Sequence, residues 1–141
     1  MTLVDANVLL YAVNADAPHH AEAADWLDGE LNAGRPVGFA WIALLAFVRL
    51  STKIGLFPSP LPVAEALAQV EAWVSHPAAV VVEPTTRHVT VLAGLLAEVG
   101  TGGNLVNDAH LAALAVEHGA DVVSYDTDFG RFEGVVVRRP R

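Results

Sequence analysis

Short apolar segments alternate with longer amphipathic segments along the chain, and this alternation restricts the fold more than any other feature. Between the short segments, apolar residues recur at helical spacing. Strands that alternate with helices form a mostly parallel sheet, joined by right-handed crossovers and covered by helices on both faces. We predict strands at Thr2–Val4, Val37–Ala40, Ala79–Val82, Asp121–Ser124 and Val135–Val137. The sequence therefore predicts an α/β fold with about five strands in a central sheet.

The segments between the strands predict helices of different character. The segment Trp41–Ser51 is apolar nearly all round, so we expect it to be buried by the domain, with a second copy of the chain as a further possible cover. The run Ala79–Val82 is continuously apolar, as in strands buried within parallel sheets. The predicted helices cover Val8–Val13, Asp16 or Pro18 to Leu31, Trp41–Ser51, Pro62 to Val74, Thr85 or Thr86 to Val99, and Asn104 to Gly119.

Length and composition limit the class of protein. A chain of 141 residues with 53% hydrophobic residues suits one domain, residues 1–141, with a sizeable core. Its longest apolar run, Phe39–Val48, is too short to span a bilayer. No basic region followed by an apolar block begins the chain, so we expect no signal peptide, no membrane association and a cytoplasmic location. Cysteine is absent, which excludes disulfides and thiolate metal sites.

The charge of the chain is strongly negative. Sixteen acidic residues against 8 basic ones give a net charge of −8. Nucleic-acid-binding proteins are usually basic, so this balance argues against a large passive nucleic-acid surface. It is compatible with an enzyme whose acids bind a metal ion that then contacts phosphate, and with a basic protein partner.

Asp108 is an acid on an otherwise apolar helix. It shares a helix face with Ala112 and Ala115, which follow at i+4 and i+7. A carboxylate on a packed face is costly without a partner, although the helix N-terminus favours negative charge. Asp108 is therefore either a capping residue or an acid held beside other acids around a cation.

Further acids stand where the predicted strands end. Asp5 follows the first strand, and Asp126 and Asp128 follow the fourth. If these two strands are neighbours, the acids converge with Asp108 at the carboxyl edge of the sheet, where open α/β sheets bind ligands. Several carboxylates this close require a cation, and oxygen ligands favour Mg²⁺ or Mn²⁺ over Zn²⁺. Such a site is suited to hydrolysis of a phosphodiester.

Each member of this set also has a simpler interpretation. Asp5 could cap the helix that follows it, and Asp128 could cap a short helix at Phe129–Phe132. Asn7 and Ser124 adjoin the acids and could hold a water or a carboxylate, or could make turn hydrogen bonds. The sequence leaves these alternatives open.

Three segments together resemble a known family. Residues 4–12, which contain Asp5 and Asn7, residues 107–115, which contain Asp108, and residues 124–129, which contain Asp126 and Asp128, resemble the motifs of the PIN-domain family and its VapC toxin branch. The resemblance covers essentially the whole chain in order and length. It implies a PIN-like fold and a Mg²⁺-dependent ribonuclease that is the toxin of a type II toxin–antitoxin pair. It also implies a VapB-type antitoxin as partner and commonly a homodimer.

The same resemblance implies roles for the acids. Asp5 and Asp108 correspond to metal ligands, and Asp126 and Asp128 to the acidic fourth motif that completes the site. We therefore expect Asp5, Asp108 and Asp126 to bind the metal and all four acids to be catalytic. The family usually has a Glu before a Phe-Val-Arg-like triplet, and this chain has Ala46 there, before Phe47-Val48-Arg49. No acid occurs between Glu30 and Glu65 to replace it. The departure favours one metal ion over two.

Other functions are compatible with parts of the pattern. Receiver domains and haloacid-dehalogenase-type phosphatases also gather aspartates at a sheet edge, but both need a nearby lysine, and the one lysine here, Lys53, is remote from the motifs. A PIN-like module that binds RNA or protein without cleavage is a stronger alternative, because the Glu is missing. Contacts to RNA would come from few basic residues, which the sequence does not rank: Arg49, Lys53, Arg87, Arg131 and the tail arginines.

Overall fold

A single parallel sheet of five strands organises the protein. The structure, a computed structural model, describes all 141 residues. The strands are β1 (Thr2–Val4), β2 (Val37–Phe39), β3 (Ala79–Val81), β4 (Asp121–Val123) and β5 (Val137–Arg138). They lie in the order β3-β2-β1-β4-β5, and every neighbouring pair is parallel. The predicted α/β class and number of strands are confirmed.

Six α-helices cover the sheet. They are α1 (Ala6–Val13), α2 (His20–Asn32), α3 (Trp41–Ser51), α4 (Val63–Val74), α5 (His88–Val99) and α6 (Val106–His118). Two 3₁₀ helices, Gly103–Leu105 and Thr127–Arg131, precede α6 and follow β4. None of the helices combines the length and the hydrophobicity that a membrane crossing requires.

Two hydrophobic clusters separate the helices into two layers. One cluster contains buried residues of α1 to α4 and the sheet residues Val4, Phe39 and Val123. The other contains buried residues of α5 and α6 with Leu3 and Val122. Because successive strand residues point to opposite faces, the adjacent residues Leu3 and Val4 belong to different clusters. The three-layer α/β/α arrangement follows from this alternation.

The register of the central strands brings the predicted acids to one edge. β1 pairs with β4 through Leu3 with Val122 and Val4 with Val123, so the two strands end side by side. The connections from β1 proceed to β2 on one side, whereas β4 lies on the other, so the strand order reverses here. Ligands bind in open α/β sheets at such a reversal. The neighbouring strands required by the sequence argument are present.

Three predictions of local structure are wrong. Helix α2 begins at His20, not at Asp16 or Pro18, because the Asn14 side chain accepts a hydrogen bond from the Asp16 N–H and holds a turn there. The last strand is Val137–Arg138, not Val135–Val137, since Gly134 has a φ of 81° and keeps the chain in a turn. β3 lies at the edge of the sheet, and its Val80 is 41% exposed, so the strand is not buried.

The expected all-round burial of the apolar helix within the domain is also wrong. α3 buries Ala43, Leu44 and Phe47, but Trp41 is 48% exposed and Leu45 is 60% exposed. An eleven-residue helix packed against one layer has a second face that the domain does not cover. Whether a second copy covers that face stays a prediction.

Gly38 is required by close packing in the middle of β2. A Cβ at this position would lie 2.9 Å from Cγ2 of Val82 and 3.2 Å from Cδ1 of Leu3. Val82 and Leu3 are both buried, and a β-branched side chain has little freedom to rotate away. The missing side chain therefore leaves room for the Leu3 side chain from β1 and the Val82 side chain directly after β3.

Candidate metal centre

Asp5 lies at the carboxyl end of β1 and begins helix α1. Its Oδ1 accepts a hydrogen bond from the Ala6 N–H at 2.8 Å, and its Oδ2 accepts one from Ser124 Oγ at 2.7 Å. The Asn7 amide donates to Asp5 Oδ2 at 3.3 Å and to Ser124 Oγ at 3.1 Å. Asp5 is therefore the cap of α1 and also part of a hydrogen-bonded group that joins β1 to β4. Both interpretations of Asn7 and Ser124 hold, since they contact a carboxylate and stabilise the turn.

Asp126 and Asp128 are positioned by the turn after β4. Ser124 Oγ accepts from the Asp126 N–H at 2.9 Å, and Asp126 Oδ1 accepts from the Asp128 N–H at 2.8 Å. The cap of the 3₁₀ helix is thus Asp126, not Asp128 as one sequence interpretation had it. The Asp128 carboxylate is partly exposed and lies 3.8 Å from the Arg131 guanidinium.

Asp108 completes a compact group of acids. It lies in the first turn of α6, which directly follows the 3₁₀ helix Gly103–Leu105. One carboxylate oxygen from each of Asp108, Asp126 and Asp128 lies within 4.8 Å of the others. Asp5 is not a member of this group, and Asp128, which the metal set predicted from sequence did not include, is. The structure brings all four acids to one edge of the sheet. Only Asp108, Asp126 and Asp128 lie close enough to one another to bind a single metal ion together.

The electrostatics of the group match a cation site. Loss of solvation is the largest cause, followed by the charges of Asp126, Asp5 and Asp128, and together they raise the pKa of Asp108 to about 6. Burial also raises the pKa of Asp5, against the hydrogen bonds from Ser124 and Ala6 that lower it. Carboxylates that disfavour one another's charge gain most from a cation. The donor set is all oxygen, which fits Mg²⁺ or Mn²⁺.

A cavity of about 170 Å³ lies against two of these acids. Asp5 and Asp108 line it, and so does Ala46, which lies in the middle of α3. Ala46 therefore borders the acidic site. The family resemblance implies a Glu at this position, and here there is only a methyl group. Asn107 and Ile42 also border this cavity.

Comparisons with known proteins identify the family. Residues 2–135 match the PIN domain. Ribonuclease VapC37 of Mycobacterium tuberculosis is 64% identical over 135 residues, which cover 96% of this chain and 94% of the relative. Ribonuclease VapC31 of the same species is 42% identical over 140 residues, 99% of each chain. The chain belongs to the PIN-domain family.

Solved structures with low sequence identity have the same fold as this PIN domain. VapC20 of Mycobacterium tuberculosis, described as a toxin that cleaves the sarcin–ricin loop, has a TM-score of 0.70 at 20% identity. The match covers 99% of this chain and 100% of that one. VapBC2 from Rickettsia felis, bound to a DNA fragment from its promoter, has a TM-score of 0.70 at 16% identity, covering 98% and 97% of the two chains.

Sequence reasoning missed a polar network that joins α5 to α6. Glu117 has no exposed side-chain surface, and its carboxylate accepts hydrogen bonds from the Thr85 N–H and Oγ1 and contacts the His88 ring. The other nitrogen of His88 lies 2.9 Å from His110 Nδ1. These hydrogen bonds outweigh the effect of burial and lower the pKa of Glu117. The network fixes α6, which carries Asp108, but the sequence contains no spacing that would reveal it.

Sequence reasoning also missed an aromatic group beside the acids. The rings of His19 and Tyr125 stack with their centroids 4.5 Å apart, and Tyr11 lies 5.2 Å from Tyr125. The Tyr125 N–H donates to Asn7 Oδ1, and the Arg139 guanidinium lies 5.1 Å from the centroid of the Tyr125 ring. Three chain segments that are distant in sequence meet here, so no local pattern predicts the cluster.

Proposed function

We propose that this PIN domain is a Mg²⁺- or Mn²⁺-dependent endoribonuclease and the toxin of a VapBC-type toxin–antitoxin module. The observation that carries the proposal is the group of Asp108, Asp126 and Asp128, with three carboxylate oxygens within 4.8 Å at the carboxyl edge of the sheet. Relatives that align over nearly the whole chain are named ribonucleases. Phosphodiester hydrolysis is the chemistry that such an oxygen site performs.

We propose the four acids as the catalytic residues. Asp108, Asp126 and Asp128 are placed to hold one divalent cation together. Asp5 stays in the proposed metal site, because its charge raises the pKa of Asp108 and because both line one cavity. When bound, the ion would supply charge stabilisation at the phosphate and a water of lowered pKa.

The remaining polar residues act on the acids. Ser124 donates to Asp5 and accepts from the Asp126 N–H, so one hydroxyl fixes two of the acids relative to each other. Asn7 holds the same hydroxyl and the Tyr125 backbone. Preorganised groups of this kind keep the ligands in place without reorganisation during the reaction.

A second candidate is a PIN-like module that binds RNA or protein and does not cleave. The specific observation in its favour is Ala46, which borders the acid site without adding a ligand. In the nuclease proposal, Ala46 means that one ion suffices. In the alternative, the missing carboxylate has cost the domain its catalysis.

Cleavage assays separate the two candidates. We would incubate the purified, antitoxin-free protein with a mixture of structured RNAs and Mg²⁺, Mn²⁺ or EDTA, beside Asp108→Asn. Asp28→Asn is a matched control, because Asp28 is exposed and forms no ion pair or side-chain hydrogen bond. We expect discrete cleavage with either metal from the wild type and the control, and none with EDTA or from Asp108→Asn.

Metal binding measured by calorimetry decides the case in which no RNA is cut. A selective nuclease that lacks its substrate would still bind Mg²⁺, and Asp108→Asn would abolish the binding. A folded protein that binds no divalent cation would refute the nuclease. Ala46→Glu provides a gain-of-function arm, since a carboxylate added to the cavity is expected to tighten cation binding.

The partners follow from the same proposal. We propose a VapB-type antitoxin that blocks the site, RNA as substrate, and a homodimer that covers the exposed face of α3 around Trp41 and Leu45. Structures of VapBC assemblies from Rickettsia felis and nontypeable Haemophilus influenzae have this fold, which supports the proposal of an antitoxin partner. We further propose that residues 1–141 form a single domain and that the protein acts in the cytoplasm.

A further inference from the structure

We propose that Arg139 and Arg141, in the segment after β5, form a phosphate-binding track that leads single-stranded RNA to the acid group. The proposal rests on the ribonuclease function proposed above and ranks basic residues that the sequence left unranked. A chain with a net charge of −8 needs a local concentration of positive charge to hold RNA beside acids. Three of the 8 basic residues lie within the last four positions.

The topology places Arg139 at the same edge as the acids, and Arg141 lies farther away along α2, beside Asp25 and Arg35. β5 is parallel to β4, with Arg138 in register with Val123, so the chain leaves both strands at the carboxyl edge. The Ser124 N–H donates to the Arg138 carbonyl at 2.9 Å, and Pro140 is buried. The segment is therefore anchored on both sides of Arg139, whose side chain projects from a fixed backbone.

Arg139 is held over an aromatic ring next to the site. Its guanidinium lies 5.1 Å from the centroid of the Tyr125 ring, and Tyr125 directly precedes Asp126. Stacking on an aromatic face orients a guanidinium and leaves its N–H groups available for phosphate oxygens. His19 stacks on Tyr125, and Glu22 accepts from the Tyr125 hydroxyl at 2.8 Å, so the ring itself is fixed.

Neither of these two arginines forms an ion pair within the protein. The ion pairs of the protein engage Arg35, His88, Arg131 and Arg138, and none involves Arg139 or Arg141. A cavity of about 420 Å³ beside them is bordered by Arg138, Trp26 and Glu30. Three acids adjoin Arg141 in a neighbouring cavity: Glu30 accepts from Arg35 at 2.9 Å, Glu22 accepts from the Tyr125 hydroxyl, and Asp25 forms no ion pair.

Other basic residues fit this role less well. Arg131 pairs with Asp128, and Arg87 donates to the Glu117 carbonyl near the end of α6 opposite Asp108. At the rise of an α-helix, Glu117 and Asp108 are about 14 Å apart along the axis. Arg49 borders a cavity that shares Ala46 and Asn107 with the cavity beside Asp108, but four of its six lining residues are hydrophobic, a setting that suits contact with protein better than with phosphate.

The test is the salt dependence of RNA binding in EDTA. The probe is a fluorescein-labelled single-stranded oligouridylate, and the variants are Arg139→Gln, Arg141→Gln and the double substitution, with Arg87→Gln as a matched loss of one exposed arginine. Each phosphate contact with single-stranded nucleic acid contributes about 0.7 to the slope of log K against log salt concentration. We expect the slope to fall by about 0.7 for each single variant and about 1.4 for the double variant. Arg87→Gln should leave it unchanged.

A cleavage arm measures the kinetic consequence. The double variant should raise KM for RNA by on the order of tenfold or more and leave kcat nearly unchanged, because a contact remote from the reacting phosphate contributes uniform binding. Arg139→Lys keeps the charge and should retain the salt slope. If Arg139→Gln does not fold, the salt slope of Arg141→Gln decides the matter, since Arg141 forms no ion pair within the protein and the fold loses none with it.

The outcomes separate this proposal from the nuclease itself. A reduced salt slope supports the track even if the protein never cleaves RNA, since binding in EDTA does not depend on catalysis. An unchanged slope in the folded double variant overturns the track, whatever the cleavage assay gives. An unchanged slope together with weaker binding of the antitoxin overturns it too, and assigns the arginines to a protein contact.

Discussion

Replacing Asp108 by Asn should stabilise the metal-free protein at neutral pH. The folded protein holds Asp108 beside Asp126, Asp5 and Asp128 with a pKa of about 6, against an ordinary value of 3.8. Ionising this carboxyl therefore costs more in the folded state than in the unfolded state. Asn has nearly the same shape and carries no charge, so the substitution removes that cost.

The magnitude follows from the pKa and has a definite dependence on pH. Below the ordinary value both states are protonated and Asp108 costs nothing, whereas above about 6 both states are ionised and the folded state bears the full cost. The destabilisation thus develops as the pH rises from about 4 to about 6. The pKa difference corresponds to about 3 kcal/mol at most, and solvent screening at this half-buried position reduces it to about 1–2 kcal/mol.

Urea denaturation in EDTA at about pH 4.5 and about pH 7.5 measures the effect. Asp108→Asn should be more stable than the wild type by about 1–2 kcal/mol at the higher pH, which corresponds to roughly 3–8 °C in Tm, and by about a third of that free energy at the lower pH. Asp28→Asn should change stability equally at both. Millimolar Mg²⁺ should stabilise the wild type and not Asp108→Asn, since only a state that binds the ion gains from it. An Asp108→Asn variant that is destabilised equally at both pH values would refute the like-charge argument.

Three further substitutions test the surroundings of the site. Ser124→Ala removes the donor to Asp5 and should lower the free energy of unfolding in urea by about 1.5–3 kcal/mol, because a half-buried carboxylate loses a hydrogen bond. The same variant should bind Mg²⁺ more weakly in calorimetry. Glu117→Gln should cost about 1–3 kcal/mol, since buried hydrogen bonds with Thr85 and His88 are disrupted, and a stability equal to wild type would contradict the network. Gly38→Ala should lower the free energy of unfolding by about 1–3 kcal/mol, because the added Cβ would lie 2.9 Å from Val82, and a thermal melt would show this as a lower midpoint.

The sequence predicted the architecture because its signals are local and repeated. Each strand is a short valine-rich run between amphipathic segments, and the parallel order follows from that alternation. The convergence of Asp5 with Asp126 depended on one unproved step, that the first and fourth strands pair, and the register of Val4 with Val123 supplies it. The exposure of β3 was not predictable in this way. An apolar run has the same composition at the edge of a sheet as in the middle, and Val80 shows no local sign of its position.

Features made by distant segments were beyond the sequence argument. Glu117, His88 and His110 form one network across α5 and α6, yet each residue on its own resembles an ordinary surface residue of a helix. The exchange of Asp128 for Asp5 in the three-acid group has a similar cause. The Asp128 N–H donates to the Asp126 carboxylate within the 3₁₀ turn, and no sequence pattern marks this contact.

The sequence posed capping and metal binding as alternatives for these acids, and the structure makes them compatible. Asp5 caps α1, Asp126 caps the 3₁₀ helix, and Asp108 lies in the first turn of α6. The free N–H groups and the positive end of each helix offset part of the negative charge, so the fold tolerates close carboxylates before any cation is bound. Asn preserves the capping oxygen and Ala does not. Asp→Asn variants therefore isolate the loss of charge, whereas Asp→Ala variants at Asp5 and Asp126 would lose the helix caps as well.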